Sequence, residues 1–296
     1  MVPSRSIVQP ARIAHGASVR DLVALAKPRV TSLVLFTTAG GAWLANARIS
    51  AVPMAFLMVG TLLIVAGANA LNMLLERDTD ALMARTKDRP LAAGRLSPAV
   101  ALWFGVGASV AALPLLAFGV NPTTAVLAAL ANLLYVLAYT PLKRRTHLAL
   151  LVGAVPGAIP PLLGWTAATG RVEAAGLMLF AVLYFWQLPH FHAIALSRRE
   201  EYERAGLWVM PTARGTAATW RAIAISIFLL VASSVLLVPL HVVRPSHLPV
   251  PLALGAGLWI VAAIEARRGR GGRATFLASL VYLVALFASL AASAGG

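Results

Sequence analysis

The chain has no cysteine. Disulfides, iron–sulfur ligation and thiol catalysis are therefore excluded from the start. Acid is scarce too, with ten Asp and Glu against 25 Lys and Arg. Charged residues of both signs make up only 12% of the chain, too few for the surface of a soluble protein of this length. Residues 1–29 hold no long apolar core followed by a small-residue cleavage site, so they do not read as a secretory signal. Ten-residue alternating segments, the mark of a membrane barrel, are also missing.

What remains is apolar: 59% of the residues are hydrophobic and the mean hydropathy is +0.81. Apolar runs of about 18–24 residues recur along the whole length, long enough for helices that cross a bilayer. Backbone groups in lipid must be satisfied internally, which helices of that length do. The expected fold is all-α: a polytopic membrane protein with nine transmembrane helices around a central cavity. The spans fall at roughly 30–46, 53–75, 98–118, 121–140, 148–167, 174–195, 218–240, 247–265 and 274–294. Residues 1–29 form an N-terminal arm and 30–296 a single domain. Within the arm, Asp21 to Lys27 reads as a short surface helix stopped by Pro28.

The formal net charge of +15 would suit nucleic acid, but the placement of the cations gives a better account. The arm holds Arg5, Arg12, Arg20, Lys27 and Arg29, and the second connection Arg77, Arg85, Lys87, Arg89 and Arg95. The fourth holds Lys143, Arg144 and Arg145. The sixth holds Arg198, Arg199, Arg204, Arg214 and Arg221, and the eighth Arg267, Arg268, Arg270 and Arg273. Only Arg48, Arg171 and Arg244 fall elsewhere. Alternation of this kind is the positive-inside pattern, with a cytoplasmic N-terminus and an odd number of spans. The partner it implies is a lipid bilayer, with no nucleic acid.

Most of the acids concentrate in two of these connections. Asn72, Glu76 and Asp80 stand at i, i+4 and i+8, so a helix stacks them along one face, with Asp78 off it. Glu200, Glu201 and Glu203 stand in the sixth connection. Such clusters serve equally as interfacial salt bridges or as oxygen ligands. For the first cluster, Asn72 carries the same face deeper into apolar helix, where an idle amide is costly. Oxygen ligands without His or Cys suit Mg²⁺, which completes its shell with water and substrate phosphates. The metal-ligand candidates are thus Asn72, Glu76 and Asp80, with Glu200 and Glu201 left even between the two readings. Arg85, Lys87, Arg89, Lys143 and Arg144 serve as topological anchors or as diphosphate contacts, and Tyr139 as an interfacial ring or a hydroxyl donor. His190 and His192, two apart, leave a helix on different sides and do not converge on one ion. Each is a core histidine or a contact to a flat polar acceptor. The long, acidic-then-basic second and sixth connections echo one another four spans apart, which places two polar loops face to face across the cavity. Gly153, Pro156, Gly157, Pro160, Pro161 and Gly164 mark span five as kinked, leaving room for a ligand.

These residues resemble a known family. Asn72–Asp80 followed by Met83–Pro90 is similar to the first acidic motif of the UbiA superfamily of intramembrane prenyltransferases, and within it of the branch that farnesylates haem. Tyr139–Thr146, Trp186–Phe191, Glu200–Tyr202 and Ala205-Gly206 resemble further elements of that branch, in the same order. The resemblance implies that farnesyl diphosphate binds with Mg²⁺ between the two acidic loops and ionises. A vinyl group of haem b then attacks, and water quenches the adduct to haem O. It assigns Asn72, Glu76, Asp80 and Glu201 to catalysis. Arg29, Arg85, Lys87, Arg89, Tyr139, Lys143, Arg144, His190, His192 and Tyr202 fall to substrate binding. It also implies a bacterial plasma-membrane location, an active site toward the cytoplasm, and a downstream haem-modifying enzyme as partner. Met73 and Glu76 stand where quinone-prenylating relatives carry Asp, and the second Asp-x-x-x-Asp motif is absent. The competing expectations are prenylation of an aromatic quinone precursor and a cation-coupled transporter, though a transporter would set its acids near mid-membrane.

Overall fold

The computed structural model describes residues 18–47 and 49–293, so Arg5, Arg12 and Arg48 lie outside the described residues. Within them the chain is all-helical. The arm forms α1 (Val19–Leu25), capped by the Ser18 side chain, which accepts from the Asp21 N–H. It is not a detached surface helix: Leu25 is fully buried, and Asn69 donates through Nδ2 to the Ala26 carbonyl at 3.2 Å. Lys27 then takes a left-handed φ of 47° and turns the chain by 48° into α2 (Pro28–Leu44).

Next come α3 (Ala51–Asp80), α4 (Pro98–Gly119), α5 (Pro122–Leu142), α6 (Ala149–Thr169) and α7 (Ala174–Ser197). The sixth connection folds into α8 (Arg199–Arg204) and α9 (Met210–Ala213), followed by α10 (Gly215–Val235), α11 (Pro249–Arg267) and α12 (Arg273–Ser293). Eight of the described helices are long and apolar enough to cross a membrane, and α2, continuing from bent α1, makes the ninth. The protein is a polytopic membrane protein. Two spans differ from expectation. α3 runs on to Asp80, because Leu71–Asp80 continues the helical hydrogen bonding with no Gly or Pro to stop it. α10 ends at Val235 and the chain turns over 236–243, where Pro239 cannot continue a helix.

Small residues set the closest crossings. A Cβ on Gly41 would collide with the Pro161 carbonyl oxygen, and one on Gly164 with that of Thr38. α2 and α6 therefore meet backbone to backbone, as glycine permits between membrane helices. Despite Pro156, Pro160 and Pro161, α6 remains one helix. Its glycines are filled from within: a Cβ on Gly153 would strike the Tyr139 ring, and one on Gly157 the Gln187 side chain.

One end of the bundle gathers the arm and the even-numbered connections. Asp21 pairs with Arg95 at 3.0 Å, the Arg85 N–H donates to Glu201 Oε1 at 3.3 Å, and the Trp208 N–H donates to the Lys143 carbonyl at 3.2 Å. The eighth connection joins them, with Gly272 against Ala193. Buried Glu265 accepts from the Ala274 and Thr275 N–H groups, so this acid caps α12 across the turn.

Candidate active site

The cavity at this end has a volume of about 360 Å³. The helical register of α3 aims Asn72, Glu76 and Asp80 into it, and each meets a cation. Asn72 Oδ1 accepts from Lys27 Nζ at 2.8 Å, and its Nδ2 donates to Thr140 Oγ1 at 3.1 Å. Glu76 Oε1 accepts from Lys143 Nζ at 2.7 Å. Asp80 Oδ2 accepts from Arg89 at 2.6 Å. The buried amide is thus partnered at both its oxygen and its nitrogen, and Asp78 points away, paired with Arg77 and largely exposed.

α5 brings the opposite wall. Over Leu134–Tyr139 it widens into a π-helical turn, and Tyr135 and Tyr139 both line the cavity with ring centroids 5.5 Å apart. Lys143 Nζ lies 4.4 Å above the Tyr139 ring, and Arg144 donates to Thr79 Oγ1. Burial alone would lower the Lys143 pKa. The Tyr139 phenol and the Glu76 carboxylate outweigh it and hold the ammonium above the ordinary lysine value.

Of the residues singled out in the sequence, Asn72, Glu76, Asp80, Arg85, Arg89, Tyr139, Lys143, Arg144, His192 and Tyr202 line this one cavity. Others stand outside it. Arg29, Lys87 and Glu200 are exposed and do not line it. Glu201 lies behind the wall, where Arg198 holds one oxygen at 3.0 Å and the Arg85 N–H the other. Burial pushes its carboxyl up, but these two donors keep it below the usual range. His190 is packed between α7 and α12: it stacks on Trp186 at 4.8 Å, meets Phe276, and Nδ1 lies 2.9 Å from Ser279 Oγ. His192, two residues on, faces the cavity with Phe191, Trp208 and Met210.

Sequence reasoning passed over Lys27, Asn69, Thr79, Thr140 and Tyr135 as cavity residues. Lys27 read as one more basic anchor. Only the left-handed turn before Pro28 swings it onto Asn72, and nothing in the composition of the arm signals that turn.

The donor set is oxygen only. Among the described residues no three of His, Cys, Asp and Glu converge to hold an ion unaided. Two carboxylates and an amide on one helix face still fit a small hard cation whose shell is completed by phosphate and water.

The model of the UbiA prenyltransferase family matches residues 34–290. The chain belongs to that family. Among curated members, protoheme IX farnesyltransferase of Sorangium cellulosum is 52% identical over 276 residues, covering 87% of this chain and 99% of the relative. The Myxococcus xanthus protein of the same name is 47% identical, over 92% and 93%. Solved UbiA-type folds agree at low identity. A digeranylgeranylglyceryl phosphate synthase structure superposes with TM-score 0.78 at 14% identity, over 93% of this chain and 98% of the other. A UbiA homologue from Archaeoglobus fulgidus, bound to DMAPP and Mg²⁺, gives 0.63 at 15%, over 91% and 99%.

Proposed function

We propose that this prenyltransferase transfers the farnesyl group of farnesyl diphosphate to a vinyl group of haem b, giving haem O, in a Mg²⁺-dependent reaction. The observation that carries the reading is the single cavity in which Asn72, Glu76 and Asp80 each oppose a cation. The names of the relatives at 47–52% identity support the acceptor.

Asn72, Glu76 and Asp80 would hold Mg²⁺ together with the diphosphate, and the ion, when bound, neutralises charge on the leaving group. Lys27, Lys143, Arg89 and Arg144 then turn from their present partners to phosphate oxygens, fixing the anion and stabilising it as it departs. Glu201 keeps its place behind Arg85 and positions that loop rather than touching substrate. Phe191, His192, Trp208 and Met210 offer a broad, partly aromatic wall for a porphyrin face. Apolar lining keeps water from the allylic carbons until the carbon–carbon bond has formed. The electron balance is simple. The C1–O bond breaks with both electrons on diphosphate, the vinyl π pair forms the new bond, and water adds to the remaining cation with loss of a proton.

The Lys and Arg excess at the end that holds the cavity supports a cytoplasmic-facing site in a bacterial plasma membrane. A haem-modifying enzyme would receive the product. The test incubates membranes containing the protein with Mg²⁺, farnesyl diphosphate and haem b, followed by mass spectrometry of extracted haem. Farnesylated, hydrated haem is expected. Prenylated 4-hydroxybenzoate or naphthoate with unmodified haem would overturn the assignment.

A further inference from the structure

A second, apolar groove of about 130 Å³ runs between α2, α3, α5 and α6. It shares Val30, Asn69, Tyr135 and Gly157 with the polar cavity. A prenyl diphosphate has one bond where anion ends and hydrocarbon begins, the C1–O bond. With the phosphates among Lys27, Arg89 and Lys143 and the chain in the groove, that bond falls at the shared residues. The Val30 and Gly157 side chains offer no electrons there, and Asn69, whose Nδ2 donates to the Ala26 carbonyl, offers an amide oxygen but no ring. Tyr135 alone of the four brings a π face.

Its neighbour Tyr139 lines the polar cavity but not the groove, and so stands away from the junction, beside Lys143 Nζ at 4.4 Å. Tyr135 is also tied into the acid column: its carbonyl accepts from the Thr140 N–H, closing the π turn, and from Thr140 Oγ1 at 2.8 Å, and Thr140 Oγ1 in turn accepts from Asn72. Short π-helical turns inside α-helices occur frequently at functional sites. Here the turn coincides with the point where the two cavities join.

We propose that Tyr135 is a catalytic residue whose ring stabilises the positive charge developing over the allylic C1 and C3 carbons as the C1–O bond breaks and both its electrons leave with diphosphate. The inference rests on the prenyl diphosphate reading of the cavity, not on the identity of the acceptor. A ring face attracts a desolvated cation by an amount equal to about tenfold or more in rate.

The test uses the full chain in lipid nanodiscs with Mg²⁺ and farnesyl diphosphate labelled with ¹⁸O in the C1 bridging position. Scrambling of the label into non-bridging positions reports ionisation with no acceptor present, and kcat with haem b is read in parallel. Tyr135→Phe keeps both rates within about threefold of the parent, because the ring is retained. Tyr135→Leu lowers both about tenfold or more while KM for farnesyl diphosphate stays within twofold. Mono-, di- and trifluorinated phenylalanines at 135 have nearly constant shape, so a stepwise fall with each fluorine reads π electron density rather than packing. Full rates in Tyr135→Leu, a flat fluorine series, or a Tyr135→Phe defect as large as that of Tyr135→Leu would each overturn the role. If label scrambling follows the series but no farnesylated haem forms, the acceptor assignment falls and the role of Tyr135 stands.

Discussion

Replacing Lys143 by Met removes one charge and keeps most of the apolar stem. In the free protein Nζ holds Glu76 at 2.7 Å, with the two side chains 24% and 14% exposed. In the proposed complex it turns to a diphosphate oxygen. A hydrogen bond to a charged group contributes about 1.5–3 kcal/mol, so farnesyl diphosphate affinity should fall about tenfold to a hundredfold. Haem affinity should change by less than about twofold, since the cation lies on the diphosphate side. The substitution also strands Glu76, and an unsatisfied, mostly buried acceptor costs about 1–3 kcal/mol of stability. A second variant separates the effects: Lys143→Met with Glu76→Gln regains thermal stability but not diphosphate affinity. The pH dependence has a definite sign. The Lys143 pKa lies above its ordinary 10.5, so the pair is fully present below that value and is lost only as pH rises through the raised one. Diphosphate binding should therefore show no Lys143 titration between about pH 6 and 9. The assay is equilibrium binding of radiolabelled farnesyl diphosphate, haem binding by absorbance, and thermal unfolding in one detergent. Unchanged diphosphate affinity in a folded Lys143→Met protein, or equal losses for both substrates, would refute the reasoning.

Asp80→Asn should abolish turnover while the inserted protein stays folded, and normal haem farnesylation would remove Asp80 from the site. Gly164→Ala forces a methyl against the Thr38 carbonyl and should cost about 1–3 kcal/mol, read as a lower unfolding temperature; an unchanged midpoint would mean α2 and α6 do not meet as described. Glu201→Gln loosens the tie between the second and sixth connections, so limited proteolysis near Arg85 should quicken. The Glu201 pKa lies below its ordinary 4.5, so the tie is complete above that value and lost as pH falls through the lowered one. Proteolysis of the parent should thus stay constant from about pH 6 to 8, and a midpoint in that range would contradict the contact.

Span count and the acid column were legible because each rests on a local rule. Hydropathy over twenty residues fixes a span, and a spacing of four fixes a helix face, so Asn72, Glu76 and Asp80 could be placed together without tertiary knowledge. The meeting of the second and sixth connections was legible only as an echo of composition. Three things were not legible. The swing of Lys27 depends on one left-handed residue. The π turn that brings in Tyr135 arises within an ordinary apolar run, and Pro141 just past its end signals a local disturbance without saying which residue it turns inward. The division between His190 and His192 depends on what α12 packs against: Ser279 and Phe276 claim one ring and leave the other to the cavity. The first two are local backbone departures and the third a long-range contact, and sequence spacing carries no record of any of them.

The same pairings explain how a site with so few acids can serve an anionic substrate. A cavity of bare cations would repel itself and lower its own ammonium pKa values. A cavity of bare carboxylates would repel diphosphate. Here Glu76 and Asp80 each hold one cation, and Asn72 holds a third through an amide oxygen that adds no charge. Each acid on the column thus meets its own cation, while Lys27, held through an amide oxygen, and Arg144, held by the Thr79 hydroxyl, have no carboxylate partner in the cavity among the described residues. A magnesium-bound diphosphate would offer each acid the metal in place of its cation and leave the released cations to hold phosphate oxygens. Every acid and every released cation would then still face an opposite charge, so neither acid would be left buried and unpaired. The amide at position 72 is then informative. An Asp there would give Lys27 a carboxylate partner and set one more negative charge against the diphosphate, so Asn72→Asp should weaken farnesyl diphosphate binding even though it adds a potential metal ligand.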